Sequence, residues 1–152
     1  MFPFMLLMFG VMEMALLYFT ATTLEQQVAT SSRQIRTGEV QKAGDPLGTF
    51  RGLLCDGVVG FIDCVNDVVI DVRSFTNFNT VTYPDFYNSD GQAAGNTFVP
   101  GPSGAIVLVR VAYRWNLITP LIGQFISDVG TNGKQLVSSA LFRNEPFAPP
   151  GP

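Results

Sequence analysis

Met1 to Phe19 is the most apolar stretch of the chain and the strongest constraint on its fold. It holds one charged residue, Glu13, and its only uncharged polar group is the Tyr18 hydroxyl. No turn signal separates it from a polar run that keeps a helical pattern to Thr37. At about 1.5 Å rise per residue, Met1–Phe19 measures about 28 Å, just short of a hydrocarbon core of about 30 Å. It therefore reads as a marginal membrane span. A cleaved signal peptide needs a basic start, a short apolar region and a small-residue cleavage site. Here no Lys or Arg precedes Arg33, the apolar run is long, and Glu13 interrupts it. A core helix of a soluble domain would need a partner surface large enough to wrap the rod.

The rest of the composition points the same way. Hydrophobic residues make up 47% of the 152 positions and charged residues 14%, against about 25% charged in a typical soluble domain. That surplus has to be buried in a core, a membrane or a partner. The formal net charge is −3 and no Lys/Arg run occurs, so the chain has no electrostatic footprint for nucleic acid.

Within the stem, Met14, Leu17, Ala21, Leu24, Val28 and Ile35 recur at spacings of three and four, with Ser31 filling the gap. This is a packing stripe that continues past the lipid-compatible part. Thr22, Thr23, Gln26, Gln27, Thr30 and Arg33 lie opposite. Arg33 and Arg36 suit the negative end of the helix dipole, and Gly38 is a natural stop. Glu13 is the anomaly, since an ionisable group in lipid is costly and a functional candidate. It could pair with a neighbouring subunit, mark the membrane–water boundary, or snorkel. Glu13→Leu is expected to leave folding intact and alter assembly.

Residues 39–143 read as a small α+β head. Glu39–Gly44 is a polar linker. Asp45-Pro46 opens a short helix reaching about Cys55, with Asp45 as N-cap. Phe61–Cys64 forms a second short turn. An even cysteine count behind an export-like segment suggests a Cys55–Cys64 disulfide; the alternative is two buried free thiols. Asp67–Phe75, Ala105–Trp115 and Lys134–Phe142 alternate as strands, each with one apolar face. The expected fold is a long N-terminal helix packed on a three-stranded, half-exposed antiparallel sheet with short helices. Leu117–Val129 fits an amphipathic helix, and Asn132-Gly133 a turn. The Asn77–Gly104 connection is about 28 residues, long for a compact domain. It is either a partner-contacting surface, with Tyr83, Phe86, Tyr87 and Phe98 as anchors, or a lid over the sheet. Residues 144–152 form a Pro-rich tail, expected to be extended and poorly ordered.

Chemistry-bearing constellations are missing. The chain has no histidine, which removes the commonest general base and zinc ligand. Two cysteines without further N or S ligands do not make a zinc site. Asp85–Gly91 fails as a calcium loop, because Phe86 and Thr97 would occupy the positions that need acids. Gly101–Gly104 contains Pro102 and leads into a strand, not a phosphate-binding helix. The sequence thus nominates no catalytic residue, cofactor or metal, and no small-molecule substrate.

Taken in order, the residues carry a resemblance. Pro3-Phe4-Met5-Leu6-Leu7-Met8-Phe9-Gly10-Val11-Met12-Glu13, with its Gly-x-x-Glu element at Gly10–Glu13, resembles the stem of TadE-like pilins and pseudopilins of the tight-adherence (Tad or Flp) pilus system. Arg33-Gln34-Ile35-Arg36-Thr37-Gly38, Cys55 and Cys64, Val69-Ile70-Asp71-Val72, the Arg110–Ile122 stretch and Phe142-Arg143-Asn144-Glu145-Pro146-Phe147 are similar to forms in that family. The resemblance implies a noncatalytic filament subunit, major or minor. Its stem would be held in the inner membrane and its head in the periplasm before extraction into an adhesive surface fibre. Its partners would be other pilin subunits. The expected helix–helix packing positions are Phe4, Leu7, Gly10, Glu13, Met14, Leu17, Ala21, Leu24 and Val28. Family precursors carry a basic leader and an early Glu-Phe pair upstream of the proline. This chain starts two residues before Pro3, so that processing site is not carried over and Glu13 is not assigned the early glutamate's role. The alternative function is a membrane-anchored periplasmic binding or enzymatic domain.

Overall fold

A computed structural model describes residues 1–58, 62–119, 122–130 and 132–148. The expected stem forms one continuous helix, α1 (Phe2–Arg36), of 35 residues. Pro3 sits in its first turn, where a missing N–H costs nothing. Arg33 and Arg36 occupy its last turn. The helix stops at Thr37, and Gly38 takes a positive φ of 81°. A Cβ at Gly38 would also run into the ring of Phe147, so glycine is needed there for conformation and for space.

The linker after α1 contains a single 3-10 turn, Val40–Lys42, whose Val40 is buried. Helix α2 (Pro46–Asp56) starts as its sequence indicates: the Asp45 carboxylate accepts the Gly48 N–H at 3.0 Å. Helix α3 (Cys64–Asp67) is capped the same way by Asp63. The Phe61 end of the expected second turn lies outside the described residues. Cys55 and Cys64 form the expected disulfide, with their Cα atoms 5.6 Å apart. Arg51 of α2 donates to the carbonyls of Val65 and Val68, at 2.8 and 3.1 Å. These bonds clip α2 to α3 and to the residue that follows it, beside the bridge. Opening the bridge with Cys64→Ser should lower stability by about 2–3 kcal/mol, as expected for a loop of about ten residues. An unchanged urea midpoint in detergent would show that Arg51 and packing suffice.

Four strands follow: β1 (Val68–Phe75), β2 (Thr97–Phe98), β3 (Ile106–Asn116) and β4 (Gly133–Arg143). The sheet order is β2-β1-β3-β4. The three expected strands are present and antiparallel, and the fold is α+β. The expectation of a purely three-stranded antiparallel sheet is corrected by β2, which pairs parallel to β1 through Asp71–Thr97 and Val72–Phe98. Two residues in a Gly- and Asn-rich loop leave no alternation to read, so this edge is invisible in the sequence.

One sheet face packs on α1 and α2. Leu24, Val28 and Ile35 of α1 meet Phe50 and Leu54 of α2, Ile70 and Val72 of β1, and Val107, Val109 and Val111 of β3. The stem stripe is therefore the sheet's cover, as its spacing implies. The half-exposed face expected of the sheet is kept by β4, where Val137 and Leu141 are exposed, but not by β1 and β3. Phe86 of the 77–104 connection packs against Val69 and Ala112 on the second face, so the loop is a lid and both faces of β1 and β3 are largely buried.

Two further expectations change. Of the Leu117–Val129 helix, only α4 (Ile122–Ile126) is helical; Pro120 and Leu121 lie outside the described residues. The preceding backbone is held elsewhere: Leu117 donates to the Asn132 carbonyl at 2.9 Å, and its own carbonyl accepts from the Asn132 side chain. The tail is also more ordered than its composition suggests, up to residue 148. Asn144 is buried and donates to the carbonyls of Pro100 and Pro102, both at 3.0 Å. Glu145 ties to Arg36 through its N–H and its carboxylate, each at 3.0 Å.

Candidate functional site

The sheet lies along the stem, with β3 running against it and β4 running with it. Glu145, just past the end of β4, meets Arg36, and Ile118, just past β3, meets Glu13. From Glu13 to Arg36 the helix covers about 35 Å at 1.5 Å per residue, which matches about 37 Å for an eleven-residue strand. The head is therefore bonded to the stem from Arg36 up to Glu13. Before Glu13 the helix projects, with Phe4, Met5, Leu7, Met8, Phe9, Val11 and Met12 all exposed. By length and composition the helix can cross a membrane.

Glu13 sits where the head ends. It is 6% exposed. One carboxylate oxygen accepts the Ile118 N–H at 2.5 Å and the other the Thr119 N–H at 2.8 Å. The pairing joins residues more than 100 positions apart, and no sequence pattern announces it. Glu13 is thus bound within its own chain. Beside it the Trp115 indole N–H is buried without a hydrogen-bond partner among the described residues. An apolar groove of about 450 Å³ runs between stem and loop, floored by Leu6, Phe9 and Met12 on one side and Trp115 and Ile118 on the other.

The bound carboxylate revises the expectation that Glu13→Leu leaves folding intact. Two N–H donors would lose a charged acceptor, and such bonds are worth about 1.5–3 kcal/mol each. Glu13→Leu should lower stability in detergent by about 2–4 kcal/mol, with faster hydrogen exchange at the Ile118 and Thr119 amides. Glu13→Gln, which keeps one acceptor oxygen, should lose less. Exchange at those two amides indistinguishable from the parent protein would refute the junction.

The expected assembly positions divide into two groups. Leu24 and Val28 are buried in the head core, and Leu17 and Ala21 pack at its edge. Phe4, Leu7 and Met14 are exposed, while Gly10 is buried among neighbouring stem side chains at a shallow groove with Leu6, Val11 and Met14. Only the exposed group is free to meet another molecule.

The expected loop anchors divide as well. Tyr83 is exposed. Phe86 is 3% exposed and lies under Arg110, whose guanidinium carbon is 4.2 Å from its ring centroid. Phe98 is half-buried against Phe50, with ring centroids 5.6 Å apart. Arg110 donates to the Pro84 carbonyl at 2.8 Å and faces its cross-strand neighbour Asp71 at 3.5 Å. Burial lowers the Arg110 pKa and the Asp71 charge opposes that shift. This pair fastens the lid and was not among the sequence candidates. Its signal was Asp71 and Arg110 on the polar face, read as facing water.

A polar pocket of about 380 Å³ opens at the other edge of the lid, lined by Asn66, Asp67, Tyr87, Arg114 and Asn116. Burial raises the Tyr87 hydroxyl to about 12, so it stays protonated at neutral pH. Arg114 donates to the Gly91 carbonyl at 3.1 Å. Among the described residues, no group of three His, Cys, Asp or Glu is placed to hold a metal ion.

The geometry defines a class: an α+β head strapped along a helix whose apolar end projects beyond it. No family model, curated protein or solved structure matches the chain.

Proposed function

We propose that this chain is a noncatalytic structural subunit of a Tad/Flp-type pilus or related surface filament. On this reading the stem holds it in the inner membrane, with the head periplasmic, until it is assembled into a fibre that supports adhesion. The observation that carries the reading is the projecting end of α1, where seven large apolar side chains from Phe4 to Met12 are exposed. Such a rod needs lipid or sibling rods around it. Burying one such side chain contributes about 1.5–3 kcal/mol, so a bundle of stems holds together strongly. Repeated head-to-tail contacts of this kind are open-ended and grow fibres. The order of stem, disulfide-closed head and sheet agrees with the TadE-like resemblance. Electron microscopy of sheared surface fibres, with and without the gene, tests it. Fibres should be lost or altered without the gene, and the protein should be found in the fibre fraction of the parent strain. Unchanged fibres that lack the protein would remove the reading.

The pocket around Tyr87 and Arg114 favours a second reading, a membrane-anchored binding head. It offers one cation and several hydrogen-bonding groups to a small polar ligand. Saturable binding or turnover by the full chain in detergent, lost on Arg114→Ala, would support this reading over the first.

A further inference from the structure

The loop that holds Glu13 carries its own apolar surface. Ile118 is 82% exposed and Phe125 is 85% exposed. No charged residue lies between Arg114 and Asp128. This hairpin connection stands at the end of the head from which the bare stem projects, and Ile118 also lines the apolar groove against Leu6, Phe9 and Met12. Exposed aromatic and branched side chains next to a lipid-compatible helix form one continuous apolar surface.

Length decides how deep that surface lies. Residues 1–12 supply about 18 Å of helix at 1.5 Å per residue, well short of a hydrocarbon core of about 30 Å. A span must therefore draw in the stem to about Thr20. That places Glu13 and Ile118 roughly 10 Å inside the level of Thr20, again at 1.5 Å per residue. Non-helical backbone survives at such depth only if its polar groups are satisfied by protein. The first part of the connection meets this condition at several of its groups. The Ile118 and Thr119 N–H groups go to Glu13, and the Leu117 N–H and carbonyl go to Asn132. A carboxylate at lipid depth is itself costly unless bound, and here each group removes the other's cost.

We propose that the β3–β4 connection, with Ile118 and Phe125, inserts among the lipid acyl chains of the leaflet facing the head, and that Glu13 makes this insertion possible by capping its backbone. The partner is phospholipid hydrocarbon, and the groove beside Trp115 takes part of an acyl chain. The inference rests on membrane anchoring of the stem and not on filament assembly.

Trp115 is the sole tryptophan, which makes the test direct. The full chain is reconstituted in phosphatidylcholine vesicles whose acyl chains are brominated midway, and co-flotation reports anchoring separately. Trp115 emission should be strongly quenched by the bromolipid and hardly by aqueous iodide. Lipid touching the stem alone could reach Trp115, so Phe125→Trp in a Trp115→Phe background decides. Quenching of that tryptophan by bromolipid supports insertion. Quenching by iodide with co-flotation intact overturns insertion and leaves anchoring standing. Shielding from both quenchers assigns the surface to a second copy of the chain and also overturns it. Loss of co-flotation in the parent protein overturns the anchoring reading together with this one.

Discussion

Deleting residues 2–12 should release the protein from membranes into the aqueous phase while the head stays folded. The segment removed contains seven exposed large apolar side chains and, among its described side chains, a single buried residue, Gly10. At about 1.5–3 kcal/mol for each side chain that leaves water, the loss of transfer free energy is on the order of 10 kcal/mol. That corresponds to about seven orders of magnitude in partitioning. The core begins further along the stem, at Leu24, Val28 and Ile35, and Glu13 is retained with its two amide partners. Flotation on a density gradient should move the protein from the vesicle fraction to the soluble one. Its unfolding midpoint should stay close to that of the parent. A truncated chain that still floats would show that the head alone binds lipid strongly enough to hold. A truncated chain that unfolds would show that the bare segment supports the core, against the burial pattern.

Asp71→Ala should lower the stability of the head by about 3–5 kcal/mol, the usual cost of stranding a buried charge. Asp71 and Arg110 are 6% and 7% exposed and sit opposite each other in neighbouring strands. Asp71 also accepts from Arg73 at 2.7 Å. Without its carboxylate, Arg110 remains stacked on Phe86 with one hydrogen bond to Pro84 and no counter-charge in contact. Its Nη1 already lacks a hydrogen-bond partner among the described residues. The lid formed by residues 77–104 should then loosen before the rest, with early proteolysis near the exposed Tyr83. Replacing both partners, Asp71→Leu with Arg110→Met, should restore much of the loss, because burying an ion pair itself carries a desolvation cost. Chemical denaturation of the single and double variants reads both effects. A single variant as stable as the parent would mean that water or Arg73 neutralises the site.

These two expectations lie at opposite ends of what could be read from residues alone. The stem was legible because its signal is local. A long charge-poor run, a stripe at three- and four-residue spacing, basic residues in the last turn and Gly38 at the stop all act within one helix. The three main strands, the Asp45 cap and the cysteine pair were legible for the same reason. Period-two alternation, a carboxylate before a proline and two nearby thiols are short-range facts.

What faces what was settled only in three dimensions. Alternation put Asp71 and Arg110 on one side of the sheet, but whether that side met water depended on where a 28-residue-scale loop came to rest, and loops of about that length carry no register of their own. The parallel pairing of Thr97 and Phe98 depends on the same loop. The helix expected over Leu117–Val129 has the right periodicity, yet only Ile122–Ile126 is helical among the described residues, and the Leu117 carbonyl that a helix would use as an acceptor is taken by the Asn132 side chain. Glu13 illustrates the division most clearly. Composition marked it as out of place in an oily helix, which is a statement about solvent. Its partners come from a strand end more than 100 residues away, and only the packing of the sheet along the stem brings those amides within reach.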